Sequence, residues 1–153
     1  MRTLLNQSDK KEILSRIQAV RPESMRRWGR MSAPQMICHL SDGYRLYMGL
    51  TSVDPPGFPY PSRVVKWIAL WLPLPWPRGI KTLPELDQQI GGTAPAEFMR
   101  DQADLAAILD RFARTPRDFD WPSSHPYMGS MSEGEWMRLG YLHADHHLRQ
   151  FGA

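Results

Sequence analysis

The stretch 136-WMRLGYLHADHHLRQ-150 carries three of the chain's five histidines, His143, His146 and His147. Ser132 followed by Glu135 is a capping-box pair, so a helix is expected to begin at Glu133. Along it, Trp136, Leu139, Gly140, His143, His147, Gln150 and Phe151 recur every three to four residues. At ~100° per residue His143 and His147 fall near the middle of that stripe, with His146 roughly 60–80° to one side. The helix therefore turns imidazoles, rather than leucines, toward the interior. A buried imidazole needs hydrogen-bond partners or a metal. Histidines at i and i+4 sit one turn apart and can share an ion at ~2.0–2.1 Å. The pair resembles the metal half of the zinc-protease pattern, but Ala144 stands where that pattern has its glutamate.

Working outward, the chain reads as helix throughout. Residues 9–20 form a first helix with Ser8 as N-cap and Ile13, Leu14, Ile17 and Val20 as its apolar stripe, ended by Arg21-Pro22. Ser32 and Gln35 form a second capping box, with Pro34 in the first turn, opening a helix over 33–48. Its apolar face is Met36, Leu40, Gly43, Tyr44 and Tyr47, and His39 lies on the flank of that face. Cys38 points nearly the opposite way, which makes it a poor partner for His39. Residues 51–61 are a proline- and glycine-rich loop. A short apolar helix is expected over 62–72, with Trp67 and Trp71, followed by irregular chain over 73–92. Residues 94–113 form a clear helix on Phe98, Leu105, Ile108, Leu109 and Phe112, with Asp101, Asp104, Asp110 and Arg111 on its wet side. No alternating strand pattern occurs. Four principal helices, one short one and a long middle connection describe an all-α four-helix bundle with one crossover, a single domain over 1–153.

Composition narrows the function classes. Hydrophobic residues at 42% and charged residues at 23% are ordinary for a globular protein. The net charge of +3 does not single out nucleic acid, and Arg21, Arg26, Arg27 and Arg30 read as a solvated connection. One cysteine rules out an intrachain disulfide and fits a reducing compartment. The N-terminus lacks a signal-peptide layout, and the most apolar run, 64–75, is interrupted by Lys66 and Pro73 and is too short for a membrane span. A cytoplasmic protein is expected.

Once the bundle is assembled, His39 from the second helix and the pair His143 and His147 from the last form a facial set of three. Such a set leaves positions open for water or substrate. By spacing alone His146 is an alternative to His147. Gln35 and Asp42 lie on His39's side of their helix and are candidates for orienting an imidazole, as is Gln150 beyond His147. Asp145 falls on the outer face. His125, Trp67 and Trp71 are candidates for a pocket around the site, with the tryptophan-rich middle as a lid. The competing use of those tryptophans is a surface for a partner or lipid.

The blocks WGRMSAPQMICHL (28–40), HPYMGSMSEGEW (125–136) and YLHADHHLRQF (141–151) resemble the signature blocks of the DUF1569 group. That group is placed in the DinB/YfiT-like superfamily, whose members are read as metalloenzymes. The resemblance runs from RTLLN (2–6) to the C-terminus and is loosest over 51–92. It implies a four-helix bundle, often a homodimer, holding a divalent metal on His39, His143 and His147. It further implies thiol-dependent transferases and isomerases using a low-molecular-weight thiol such as bacillithiol or mycothiol. Three readings follow: a metal-dependent transferase or hydrolase acting on a small molecule, a non-catalytic metal- or ligand-binding stress-response module, and an interaction domain using the tryptophans. Imidazole ligands suit zinc, nickel, copper and iron alike, so the metal is not identified.

Overall fold

A computed structural model describes residues 1–53, 60–80 and 82–153. Five α-helices and one 3-10 turn make up its regular structure, and no strand occurs among the described residues. Part of the proline-rich loop expected over 51–61 lies outside them. The helices are α1 (Gln7–Ala19), α2 (Ala33–Tyr47), α3 (Ser62–Trp71), α4 (Phe98–Phe112) and α5 (Glu133–Gln150), with the 3-10 turn at Pro84–Leu86.

Local chemistry sets the ends. Both capping boxes form: Ser32 and Gln35 exchange side-chain and backbone hydrogen bonds at α2, and Ser132 and Glu135 do so at α5. Such a cap is worth about 1 kcal/mol. At α1 the cap is Asn6 rather than Ser8. Asn6 Oδ1 accepts from Ser8 N at 2.9 Å and from the Ser8 hydroxyl at 2.8 Å, so Ser8 lies inside the helix as a donor. The fourth helix starts later than the periodicity predicts, at Phe98 instead of residue 94. The Glu97 carboxylate accepts from Met99 N and Arg100 N and so ends the extended chain there.

Helices α1, α2, α4 and α5 pack in adjoining pairs, α2 on α4 and α5, and α1 on α4 and α5. The shared core includes Leu4, Ile13, Ile17, Met36, Leu40, Tyr44, Leu105, Leu109, Phe112, Trp136 and Leu148. Each fully buried side chain of this size contributes about 1.5–3 kcal/mol. Polar ties fix the register. Gln102 on α4 donates to the Ile17 and Val20 carbonyls at the end of α1, and the Tyr44 hydroxyl donates to Gly140 O at 2.9 Å. Asp145 is half-buried rather than on the open surface, because Arg16 reaches it from α1 at 2.8 Å.

Gly140 is a close-approach position. A β-carbon there would stand 2.8 Å from Phe112 Cε1 and 3.2 Å from Tyr44 Cε1. The long connection between α2 and α4 carries α3 and the 3-10 turn. Lys66 ties α3 to the start of α5 through Ser130 O and Glu135, and Arg138 donates to the Leu70 carbonyl.

Candidate metal centre

Helix α2 delivers His39, and α5 delivers His143 and His147. One ring nitrogen from each lies within 4.8 Å of the others. His39 and His143 are buried, at 4% and 8% exposure, and His147 is half-buried. The three rings meet edge to face, with centroids 4.7–5.1 Å apart. His39 Nε2 and His143 Nε2 approach to 3.1 Å. Two ligands of one tetrahedral ion at the usual bond length stand about 3.3 Å apart, so this pair already has the spacing an ion requires.

Hydrogen bonds assign the ring protons. His39 Nδ1 lies 2.8 Å from the Leu86 carbonyl, which only accepts, so Nδ1 carries the hydrogen and Nε2 presents a lone pair. His147 Nδ1 lies 3.0 Å from Gln150 Oε1. The Gln150 amide orientation is set by Nε2 donating to Trp28 O at 2.7 Å, so His147 also carries its proton on Nδ1. No donor among the described residues reaches the remaining His147 nitrogen. His143 differs: its Nδ1 faces the Tyr47 hydroxyl at 3.0 Å.

Burial pushes all three histidines below their ordinary pKa. For His143 the neighbouring His147 and His39 add to that shift, and for His147 the His39 charge does. For His39 the Leu86 hydrogen bond opposes it in part. The three imidazoles are therefore neutral near pH 7, the form that ligates metal. Converging neutral imidazoles, two with lone pairs left over by their outer hydrogen bonds, fit a divalent cation of borderline softness.

The other predicted residues separate. His146 stays outside the trio: its ring lies 5.1 Å from that of His147, between Trp28 and Trp76. Gln150 is where the spacing placed it, against His147. Gln35 is consumed by the α2 capping box. Asp42 does not hold an imidazole; its carboxylate accepts from Thr93 N, Thr93 Oγ1, Gln88 Nε2 and Arg45 Nη1 and pins the chain near residue 90 to α2. His125 is buried, and its Nδ1 accepts from Tyr127 N. The Tyr47 ring contacts both His125 and His143.

Trp67 and Trp71 are 57% and 43% exposed, and neither makes a ring contact with a histidine among the described residues. The tryptophan on the cluster is Trp76, its ring 6.2 Å from that of His143 and tilted 27° to it, with Nε1 donating to Ala69 O. Cys38 is buried beside Asp101, and burial first, then Asp101, pushes its thiol up to about 11. A cleft of about 510 Å³ near Ser62, Lys66 and Glu135 lies at the far end of α5 and includes none of the histidines.

Three partners of the trio were not singled out from the sequence: the Leu86 carbonyl, the Tyr47 hydroxyl, read only as part of an apolar face, and Trp76, covered only by the expected tryptophan-rich lid. The Leu86 carbonyl is a backbone group and leaves no residue-type signature. Trp76 sits in irregular chain where helical periodicity says nothing. Its only signal is the run of alternating prolines, Pro73, Pro75 and Pro77, that stiffens the return over α3.

An all-helical protein with a buried three-histidine cluster able to hold a metal ion is the class that fold and site define. The family model described as "Protein of unknown function (DUF1569)" matches residues 2–153, and the chain belongs to that family. Comparisons with curated proteins and with solved structures give no match.

Proposed function

We propose that this protein is a divalent-metal-binding protein whose ion is held by His39, His143 and His147, and that it is a metal-dependent enzyme acting on a small molecule. The observation that carries the reading is the convergence of three ring nitrogens within 4.8 Å, with the His39 and His147 protons turned outward to Leu86 O and Gln150 Oε1. A divalent ion on three neutral imidazoles keeps its full charge and lowers the pKa of a thiol or water that reaches it. The protein's own part is to fix the lone pairs of His39 and His147, to bring the His143 ring to them, and to exclude water on the side where Trp76 covers His143. Resemblance to the DinB/YfiT-like superfamily favours thiol transfer with a low-molecular-weight thiol, and hydrolysis uses the same arrangement. The pairing of α1, α2, α4 and α5 supports a DinB-like four-helix bundle forming one domain. A cytoplasmic homodimer completes the proposal. No described helix is long and apolar enough to cross a membrane.

The low exposure of His39 and His143 favours one second reading, in which the ion braces α2 against α5 without turnover. Elemental analysis of the purified, tag-free protein, beside His39→Ala and His147→Ala, tests the shared premise. About one divalent ion per chain is expected in the parent and none in either variant. A parent that takes up no ion after reconstitution overturns both readings. Reactivity of the loaded protein toward thiols and small electrophiles then separates enzyme from brace.

A further inference from the structure

The proton assignment at the cluster has a consequence at Tyr47. Leu86 O holds the His39 proton on Nδ1, so the 3.1 Å contact between His39 Nε2 and His143 Nε2 needs its hydrogen from His143. A neutral His143 with its proton on Nε2 has a bare Nδ1, and the Tyr47 hydroxyl 3.0 Å away must donate to it. The resting order is therefore Tyr47 O–H to His143 Nδ1, His143 Nε2–H to His39 Nε2, and His39 Nδ1–H to Leu86 O. That order blocks an ion, because His143 presents a proton where a ligand needs a lone pair.

We infer that Tyr47 is a positioning residue whose hydrogen bond to His143 reverses direction when the cluster takes up its ion. This rests on the metal-site reading above. The proton on His143 Nε2 passes to solvent as the ion enters and an equal one reaches Nδ1 from solvent, so the residue's proton count and charge are unchanged. The Tyr47 oxygen, with lone pairs to spare, changes from donor to acceptor of that bond. The phenol keeps its own proton, since burial holds its pKa above the ordinary value. The oxygen itself need not move: the Tyr47 ring is packed against Tyr44, Phe112, His125 and Trp136. A hydroxyl suits this position because it both donates and accepts. His39 and His147, facing a carbonyl and an oriented amide, have no such freedom and stay in the ligating tautomer throughout.

The test is nitrogen-15 NMR of the imidazole side chains, assigned through single-histidine variants, before and after addition of zinc chloride, with zinc titrations alongside. In the zinc-free parent His143 is expected as the Nε2–H tautomer and His39 and His147 as Nδ1–H; zinc converts His143 to Nδ1–H. Tyr47→Phe keeps the ring packing. It is expected to leave zinc-free His143 as Nε2–H, which the His39 contact still requires, and to weaken zinc binding about 10–100-fold, because the Nδ1–H of the ligating tautomer then lacks its acceptor. Zinc binding by a parent whose His143 is already Nδ1–H, or by Tyr47→Phe with unchanged affinity, overturns the reversal while leaving the metal site standing. A parent that binds no zinc overturns the metal site, and the reversal with it.

Discussion

Gly43 lies under the imidazole of His143: a β-carbon built on it would stand 3.0 Å from Cε1 and 3.2 Å from Nδ1. The absence of a side chain on α2 lets a histidine of α5 reach His39. Gly43→Ala exchanges a poor helix former for the best one, a gain of about 1 kcal/mol, against an overpacking cost of about 1–3 kcal/mol. The two nearly offset, so the ion-free protein is expected to melt within a few degrees of the parent. Zinc affinity is expected to fall at least tenfold, because the displaced ring is a ligand and outer contacts of a ligand carry such weight. Isothermal titration beside a melting curve checks this; undiminished affinity would show that His143 yields at no cost.

Ion binding is expected to appear as stability. At free zinc about a thousand times the dissociation constant, linkage adds about 4 kcal/mol, or roughly 8–16 °C in a domain of this size. The gain should vanish in His39→Ala, which keeps α2 but removes one ligand. Melting curves with zinc and with chelator measure it. An equal rise in parent and variant would assign the effect to surface sites instead.

Much of this centre could be read from spacing. His143, His147 and Gln150 share a helix face, and period alone puts them together. His39 needs the added knowledge that α2 and α5 adjoin, which their apolar stripes supply. Spacing fails where a side chain has two uses. Gln35 is near His39 on the helix but spends its amide on the α2 cap, and Asp42 spends its carboxylate on Thr93 and Gln88 from the crossover and on Arg45 of its own helix. It fails again for the irregular chain. Trp67 and Trp71 lie on a helix and drew attention, whereas Trp76 and the Leu86 carbonyl reach the site through turns that no periodicity describes.

His125 contributes to the acid limit of the fold alongside the cluster histidines. Burial pushes its pKa down to about 4, with no charge partner among the described residues to offset it. In the unfolded chain the imidazole titrates near 6.5, so below that pH the unfolded state binds the extra proton and stability falls with pH. The loss runs from pH 6.5 down to about 4 and amounts to about 3 kcal/mol when complete. His125→Gln, which cannot titrate, is expected to make that part of the stability–pH curve shallower by one proton's worth, the rest of the slope belonging to His39, His143, His146 and His147, while leaving the limb above pH 7 parallel to the parent. Urea unfolding at half-unit pH intervals measures the slope, and an unchanged acid limb would place the titrating groups elsewhere.

Gln150 joins the cluster to the loop before α2. Its Oε1 meets His147 Nδ1, its Nε2 donates to Trp28 O, and Gly29, at φ +79°, leaves the room: a β-carbon there would stand 2.5 Å from Gln150 Nε2. Gln150→Leu keeps the volume but frees the His147 proton and strands a carbonyl. Zinc affinity is expected to fall about 10–100-fold, with about 1–3 kcal/mol lost from the ion-free fold for the unpaired buried groups. Gly29→Ala should mimic the first effect by a different route, because it pushes the amide from its place and forces a left-handed backbone on an L side chain. Agreement of the two variants in zinc titration would establish the amide as the holder of the His147 tautomer. Weakening by Gln150→Leu alone would point to the lost bond without the loop's participation, and weakening by neither would leave His147 oriented by its packing.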